Sequence, residues 1–101
     1  MITLSNDEQA TLKQILKSQG VGWPYKVLIF GSRTTGKARK YSDIDLALVG
    51  PTSVPFRMRG LLAEALEESN LPYTVDIVDF LTASERMKQA IQQDGVELSL
   101  A

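Results

Sequence analysis

The 101-residue sequence predicts an α/β fold: a small three-stranded sheet flanked by about four helices. Three observations predict it. Segments with helical spacing alternate with short apolar runs in the order αβαβαβα. The runs at 25–30 (YKVLIF), 44–49 (IDLALV) and 73–80 (YTVDIVDF) have the length and composition of buried strands. Capping residues, glycines and prolines fall between the periodic segments.

The elements follow in order. Ser5 and Glu8 have capping-box spacing and open a helix to about residue 18, with Leu4, Leu12, Ile15 and Leu16 at helical spacing. Gly20 and Gly22 end it. After the first strand, residues 31–40 read as a polar turn and a short helix. Gly50-Pro51 stops the second strand. Residues 55–70 form an amphipathic helix whose stripe is Met58, Leu61, Leu62, Ala65 and Leu66, and Pro72 closes that region. Thr82 with Glu85 reads as a second capping box, opening a helix to about residue 94, with Gly95 at its C′ position. Trp23 and Tyr25, which flank Pro24, read as packing residues, and Tyr41 as a turn residue.

Composition bounds the chemistry. The length fits one domain, residues 1–101, with a modest core, and 44% hydrophobic residues is ordinary for a globular chain. A net charge of −1 provides no broad basic field for DNA binding. Cysteine is absent, which excludes disulfides and thiolate catalysis. Histidine is absent too, so a metal here meets oxygen ligands and the hard cation Mg²⁺ is the fitting one. The first residues lack a signal-peptide pattern and no apolar run reaches the ~18 residues of a membrane span, so the expected location is cytoplasmic.

Residues 31–45, GSRTTGKARKYSDID, are the most informative stretch. A buried strand runs into Gly31-Ser32. Glycine permits close approach of the backbone to a ligand, and the serine offers O–H and N–H donors to phosphate oxygens. Taken alone, the pair also fits a strand-to-helix turn with Ser32 as N-cap. Ten residues later, Asp43 and Asp45 occupy i and i+2 of a strand and share one face, while Ile44, Leu46 and Leu48 face the core. Two adjacent carboxylates raise each other's pKa unless a cation neutralises them. Taken alone, Asp43 also fits a turn and Asp45 an edge position. Asp76 lies in the middle of the third apolar strand, where an unpaired carboxylate is costly and a shared metal site accounts for it. Asp79 has the opposite parity and reads as a strand-end or loop charge. Arg33, Lys37, Arg39 and Lys40 place four of the 11 basic residues within this stretch, and Arg33, next to Ser32, is the best placed for a phosphate.

Together, Gly31-Ser32, Asp43-x-Asp45 and the later Asp76 resemble the DNA polymerase β-type nucleotidyltransferase superfamily, and within it the minimal nucleotidyltransferases encoded beside HEPN-domain toxins as antitoxins. The resemblance runs from the strand at Tyr25 to Gly95. It implies a mixed sheet, ATP as donor, Gly31 and Ser32 on the β/γ-phosphates, and two Mg²⁺ ions. Asp43 and Asp45 would bind both ions, and Asp76 the catalytic one. It also implies transfer of AMP to a tyrosine of a HEPN toxin. The alternative is a domain of the same fold that neutralises the toxin by occlusion without catalysis. A small-molecule transferase is disfavoured because no second domain holds an acceptor. Gly31-x₄-Gly36-Lys37 also matches a P-loop start, but Ala38 stands where such a loop needs Ser or Thr.

Overall fold

A computed structural model describes residues 2–39 and 42–100. Lys40 of the basic stretch and Tyr41 lie outside them. Among the described residues, five helical segments and four strands follow one another: α1 (Asn6–Ser18), β1 (Lys26–Phe30), α2 (Ser32–Thr35), β2 (Ile44–Val49), α3 (Phe56–Glu67), β3 (Val75–Asp79), a 3₁₀ turn (Phe80–Thr82), α4 (Glu85–Asp94) and β4 (Val96–Glu97). The sheet order is β3-β2-β1-β4. β1 is antiparallel to β2 and β4, and β2 is parallel to β3.

Period-2 burial explains the layers. Val27, Ile29, Ile44, Leu46, Leu48 and Ile77 point to one face and pack on Leu12 and Leu16 of α1 and Leu62 and Leu66 of α3. Phe30 and Ala47 point to the other and meet Ile91 of α4. The outer layers differ in reach: α4 buries only Ile91, so the start of β2 and β3 on its side stays open. No helix among the described residues is long and apolar enough to cross a membrane.

The Ser5 box forms as expected: the Ser5 hydroxyl accepts from the Glu8 N–H at 3.1 Å and Glu8 Oε1 accepts from the Ser5 N–H at 2.9 Å. Several expectations need correction. The sheet has four strands, not three; β4 is only two residues long, too short for any alternation to register. The N-cap of α4 is Ser84, whose hydroxyl accepts from the Met87 N–H, whereas Thr82 closes the 3₁₀ turn. Gly95 has φ −67°, so it is not a left-handed C′ residue; a Cβ there would collide with the Ile91 carbonyl oxygen, which its own N–H binds at 2.8 Å. Leu61 is largely exposed, leaving Leu62 and Leu66 as the buried ridge of α3. Trp23 packs on nothing, at 96% exposure, while Tyr25 lies against Gly50. Asp79 does end β3 and face away from Asp76, but it is buried and satisfied rather than a free charge: its carboxylate accepts the N–H groups of Val54 at 2.9 Å and Leu81 at 3.2 Å. The P-loop alternative falls because α2 is a four-residue helix and the next strand is antiparallel.

Candidate active site

The phosphate-loop candidate begins where β1 ends. Gly31 has φ +76° and ψ −145°, a conformation available to glycine and strained for other residues. It, not Ser32, is the N-cap of α2, and it offers no side-chain cap; Ser32 is the first helical residue. The Gly31 carbonyl gathers the N–H groups of Thr34 and Thr35 and the Thr34 hydroxyl, at 3.1–3.2 Å. A Cβ on Gly31 would strike Oδ2 of Asp45. The glycine is thus needed twice, for its dihedrals and for the carboxylate beside it.

Sheet register sets that carboxylate. Asp45 is opposite Phe30 on β1 and opposite Asp76 on β3. Neighbours in register share a face, so Asp45 and Asp76 project together on the α4 side. Asp43, two residues before Asp45, is exposed, as is Asp76, and Asp45 is half-buried. Burial pushes the Asp45 carboxyl above its ordinary value, and the negative charges of Asp76 and then Asp43 push it further. Among the described residues, the one ion pair is Lys88–Glu85, so no described cation neutralises the three aspartates.

Whether these residues fit a divalent cation has a two-sided answer. The donor set is all oxygen, and burial and the neighbouring charges disfavour the ionised form of Asp45, a penalty a hard cation relieves. Yet no three acidic side chains among the described residues stand close enough to make a preassembled cluster. Asp43, Asp45 and Asp76 therefore suit Mg²⁺ in the kind of donor they offer, and strand register places Asp45 beside Asp76, with Asp43 on the segment that enters β2.

Arg33 is placed differently from the expectation. It is 4% exposed, with Nη1 donating to the Thr3 carbonyl at 3.0 Å and Nη2 to the Ser42 carbonyl at 2.6 Å. Its guanidinium lies 4.3 Å from the centre of the Tyr73 ring. These donors are spent inside the fold rather than offered to a phosphate. The Tyr73 hydroxyl in turn donates to Glu8 Oε2 at 2.6 Å, which holds Glu8 below the usual carboxylate range and Tyr73 above its ordinary value. Sequence reading missed Glu8 and Tyr73 as partners of this loop, since 65 positions separate them and neither lies in the motif.

Two concavities lie away from these carboxylates. One of about 590 Å³ is lined by Leu66, Leu71, Pro72 and Tyr73, and one of about 470 Å³ by Thr3, Glu8, Arg33 and Tyr73. Neither includes Asp45 or Asp76, whose shelf is open to solvent. On that shelf Gly31 abuts Asp45, and Asp45 stands beside Asp76.

Residues 10–100 match the family described as polymerase beta, nucleotidyltransferase. The chain belongs to that family. This nucleotidyltransferase is 41% identical over 92 residues to a Haemophilus influenzae protein named probable protein adenylyltransferase MntA, covering 91% of this chain and 79% of that one. A crystal structure of a toxin–antitoxin with AMP-PNP superposes with a TM-score of 0.73 at 27% identity, covering 90% of this chain and 72% of that chain. The Shewanella oneidensis complex of a tri-AMPylated HEPN toxin with an MNT antitoxin matches in fold, with a TM-score of 0.70 at 24% identity over 95% of this chain and 72% of that one. The mixed sheet and flanking helices are therefore those of the polymerase β-type nucleotidyltransferase fold.

Proposed function

We propose that this nucleotidyltransferase is a Mg²⁺-dependent protein adenylyltransferase and antitoxin, which moves AMP from ATP to a tyrosine of a HEPN-domain toxin. The observation that carries the reading is the convergence of Gly31, Asp45 and Asp76 across three neighbouring strand ends. The relatives named above, one a probable protein adenylyltransferase and others drawn from toxin–antitoxin complexes, support the acceptor class. The open shelf supports it too: a site without walls of its own leaves room for an acceptor supplied by a partner.

In this reading Asp43 and Asp45 hold both cations and Asp76 one of them. When bound, the ions supply positive charge that polarises the entering and leaving oxygens. Gly31 brings its backbone against the β/γ-phosphates with no side chain between, and Ser32 donates its hydroxyl and N–H to phosphate oxygens. Asp76 accepts the proton of the tyrosine hydroxyl. The tyrosine oxygen bonds to the α-phosphorus, the bond to the bridging oxygen breaks, and pyrophosphate leaves with that electron pair.

With labelled ATP, Mg²⁺ and the purified HEPN partner, the wild-type protein should label the partner and silence its ribonuclease activity. Asp43→Asn should reduce labelling by about 10³-fold without unfolding the protein. Equal labelling by the variant would remove Asp43 from the site. An unlabelled partner that is still silenced by Asp43→Asn would establish neutralisation by occlusion in place of transfer.

A further inference from the structure

We propose that Arg33 is a positioning residue: its buried guanidinium, clamped between the Thr3 and Ser42 carbonyls under the Tyr73 ring, fixes the chain entering Asp43 for cation binding. The inference rests on the reading of Asp43 as a cation ligand. Its basis is a continuous run of contacts. The Thr3 N–H donates to the Arg33 carbonyl at 2.7 Å while Arg33 Nη1 donates back to the Thr3 carbonyl, so residues 3 and 33 are joined in both directions. Arg33 Nη2 then reaches the carbonyl of Ser42, the residue preceding Asp43. Ser42 closes its own turn, donating its N–H to the Arg39 carbonyl at 3.1 Å and accepting the Arg39 N–H on its hydroxyl at 2.7 Å. Tyr73 roofs the guanidinium, and its hydroxyl is anchored on Glu8, which caps α1.

Stability alone does not account for this arrangement. Burying a guanidinium is costly, and Nε of Arg33 is buried with no hydrogen-bond partner among the described residues. An apolar side chain would fill the space without that penalty. What an apolar residue lacks is the rigid planar fork, two donors held at fixed spacing, that joins two carbonyls 39 positions apart in the chain. Between α2 and β2 the residues Gly36, Lys37 and Arg39 are exposed and have no core contact of their own. Without the fork, the Arg39–Ser42 turn loses its tie to Thr3 and α2. A group that orients a metal ligand without touching the metal changes affinity by about 10–100-fold when it is lost.

The test uses the full chain as Arg33→Met and Arg33→Lys. Lysine keeps a cation near Tyr73 but loses the fork, so it carries the test if the methionine variant does not fold. Two readouts need neither partner nor catalysis. Tryptic cleavage after Lys37 and Arg39 in metal-free protein should quicken by roughly ten-fold. Mn²⁺ affinity should weaken by about 10–100-fold. AMP transfer should then need correspondingly more Mg²⁺ and recover most of its maximal rate at saturation, unlike Asp43→Asn. Wild-type cleavage and Mn²⁺ affinity in both variants would overturn the inference. So would a loss confined to ATP affinity, which would place Arg33 on the phosphates. A wild-type protein that binds no Mn²⁺ would overturn the cation reading instead, and the cleavage rates would still decide whether Arg33 holds the segment.

Discussion

Asp45→Asn is expected to lose AMP transfer by about 10³-fold or more and, in the same protein, to melt at a higher temperature than wild type. The two effects share one cause. Asp45 is half-buried beside Asp76 and Asp43, and both burial and those charges favour its protonated form in the folded state. A carboxyl whose folded pKa lies above its unfolded value, about 3.8 for Asp, binds protons more tightly when folded. Stability then falls as pH rises from the unfolded value through the raised folded one, and the penalty persists at neutral pH. Asparagine removes the charge and keeps the shape. The gain, moderated by the solvent that still reaches the site, is expected to be a few degrees in Tm at pH 7, about what 1 kcal/mol gives a domain of this size. It should shrink as pH falls through 3.8 and vanish below it, where Asp45 is protonated in both states. Mg²⁺ should reverse the order, raising the wild-type melting temperature and leaving the variant unmoved. Calorimetry at several pH values with and without Mg²⁺ measures all of this. A variant less stable than wild type at pH 7 would contradict the strain assigned to Asp45.

Gly31→Ala is expected to damage both fold and activity, more than any other single methyl group added to the loop. At φ +76° and ψ −145° an alanine costs on the order of 1–3 kcal/mol in backbone strain. The added Cβ also meets Asp45 Oδ2, so the carboxylate or the loop must shift, at a further ~1–3 kcal/mol. Together these lower Tm by roughly 10–20 °C. Transfer should fall even at temperatures where the variant is folded, because relief of the collision moves the carboxylate that the proposed function assigns to the cations. Combining the two substitutions separates the terms. Gly31→Ala in an Asp45→Ala background loses the collision and keeps the dihedral cost, so its destabilisation should be about half that seen in the wild-type background. Equal costs in both backgrounds would show that the carboxylate does not press on Gly31.

Most of the core was legible in the sequence because local signals and burial agree. Ser5 and Glu8 announced α1 through a reciprocal cap that needs no tertiary help. Ile44, Leu46 and Leu48 alternated with Asp45 and Ala47, so the strand and its two faces could be read together. Legibility failed where the deciding contact is distant in sequence. β4 exists because two residues after Gly95 pair with Leu28 and Ile29, and two residues carry no period. Asp79 looks like a surface charge until the Val54 N–H, 25 positions earlier, is brought against it. Arg33 resembles a phosphate ligand by its place beside Ser32, and only the approach of Thr3, Ser42 and Tyr73 turns it inward. In the candidate site, strand parity predicts Asp43 and Asp45 on one face, but β2 begins at Ile44, so parity governs Asp45 and not Asp43. The parallel pairing of β2 with β3, which brings Asp76 opposite Asp45, is a property of topology that no local pattern encodes.

The division of labour at the site follows from the same geometry. Gly31, Asp45 and Asp76 stand on strand ends anchored in the core, while Asp43 lies on the segment that enters β2. Strand ends hold position, and entering segments need a brace, which Arg33 provides. The shelf is open on the α4 side because that helix is short and buries a single residue.

The measurement that bears most directly on this account is anomalous diffraction from crystals of the protein grown with Mn²⁺ and a non-hydrolysable ATP analogue. Manganese peaks lying between the carboxylates of Asp43, Asp45 and Asp76, with the triphosphate against Gly31 and Ser32, are the predicted result. Manganese bound away from Asp45, or Asp76 left without a share in any ion, would contradict it.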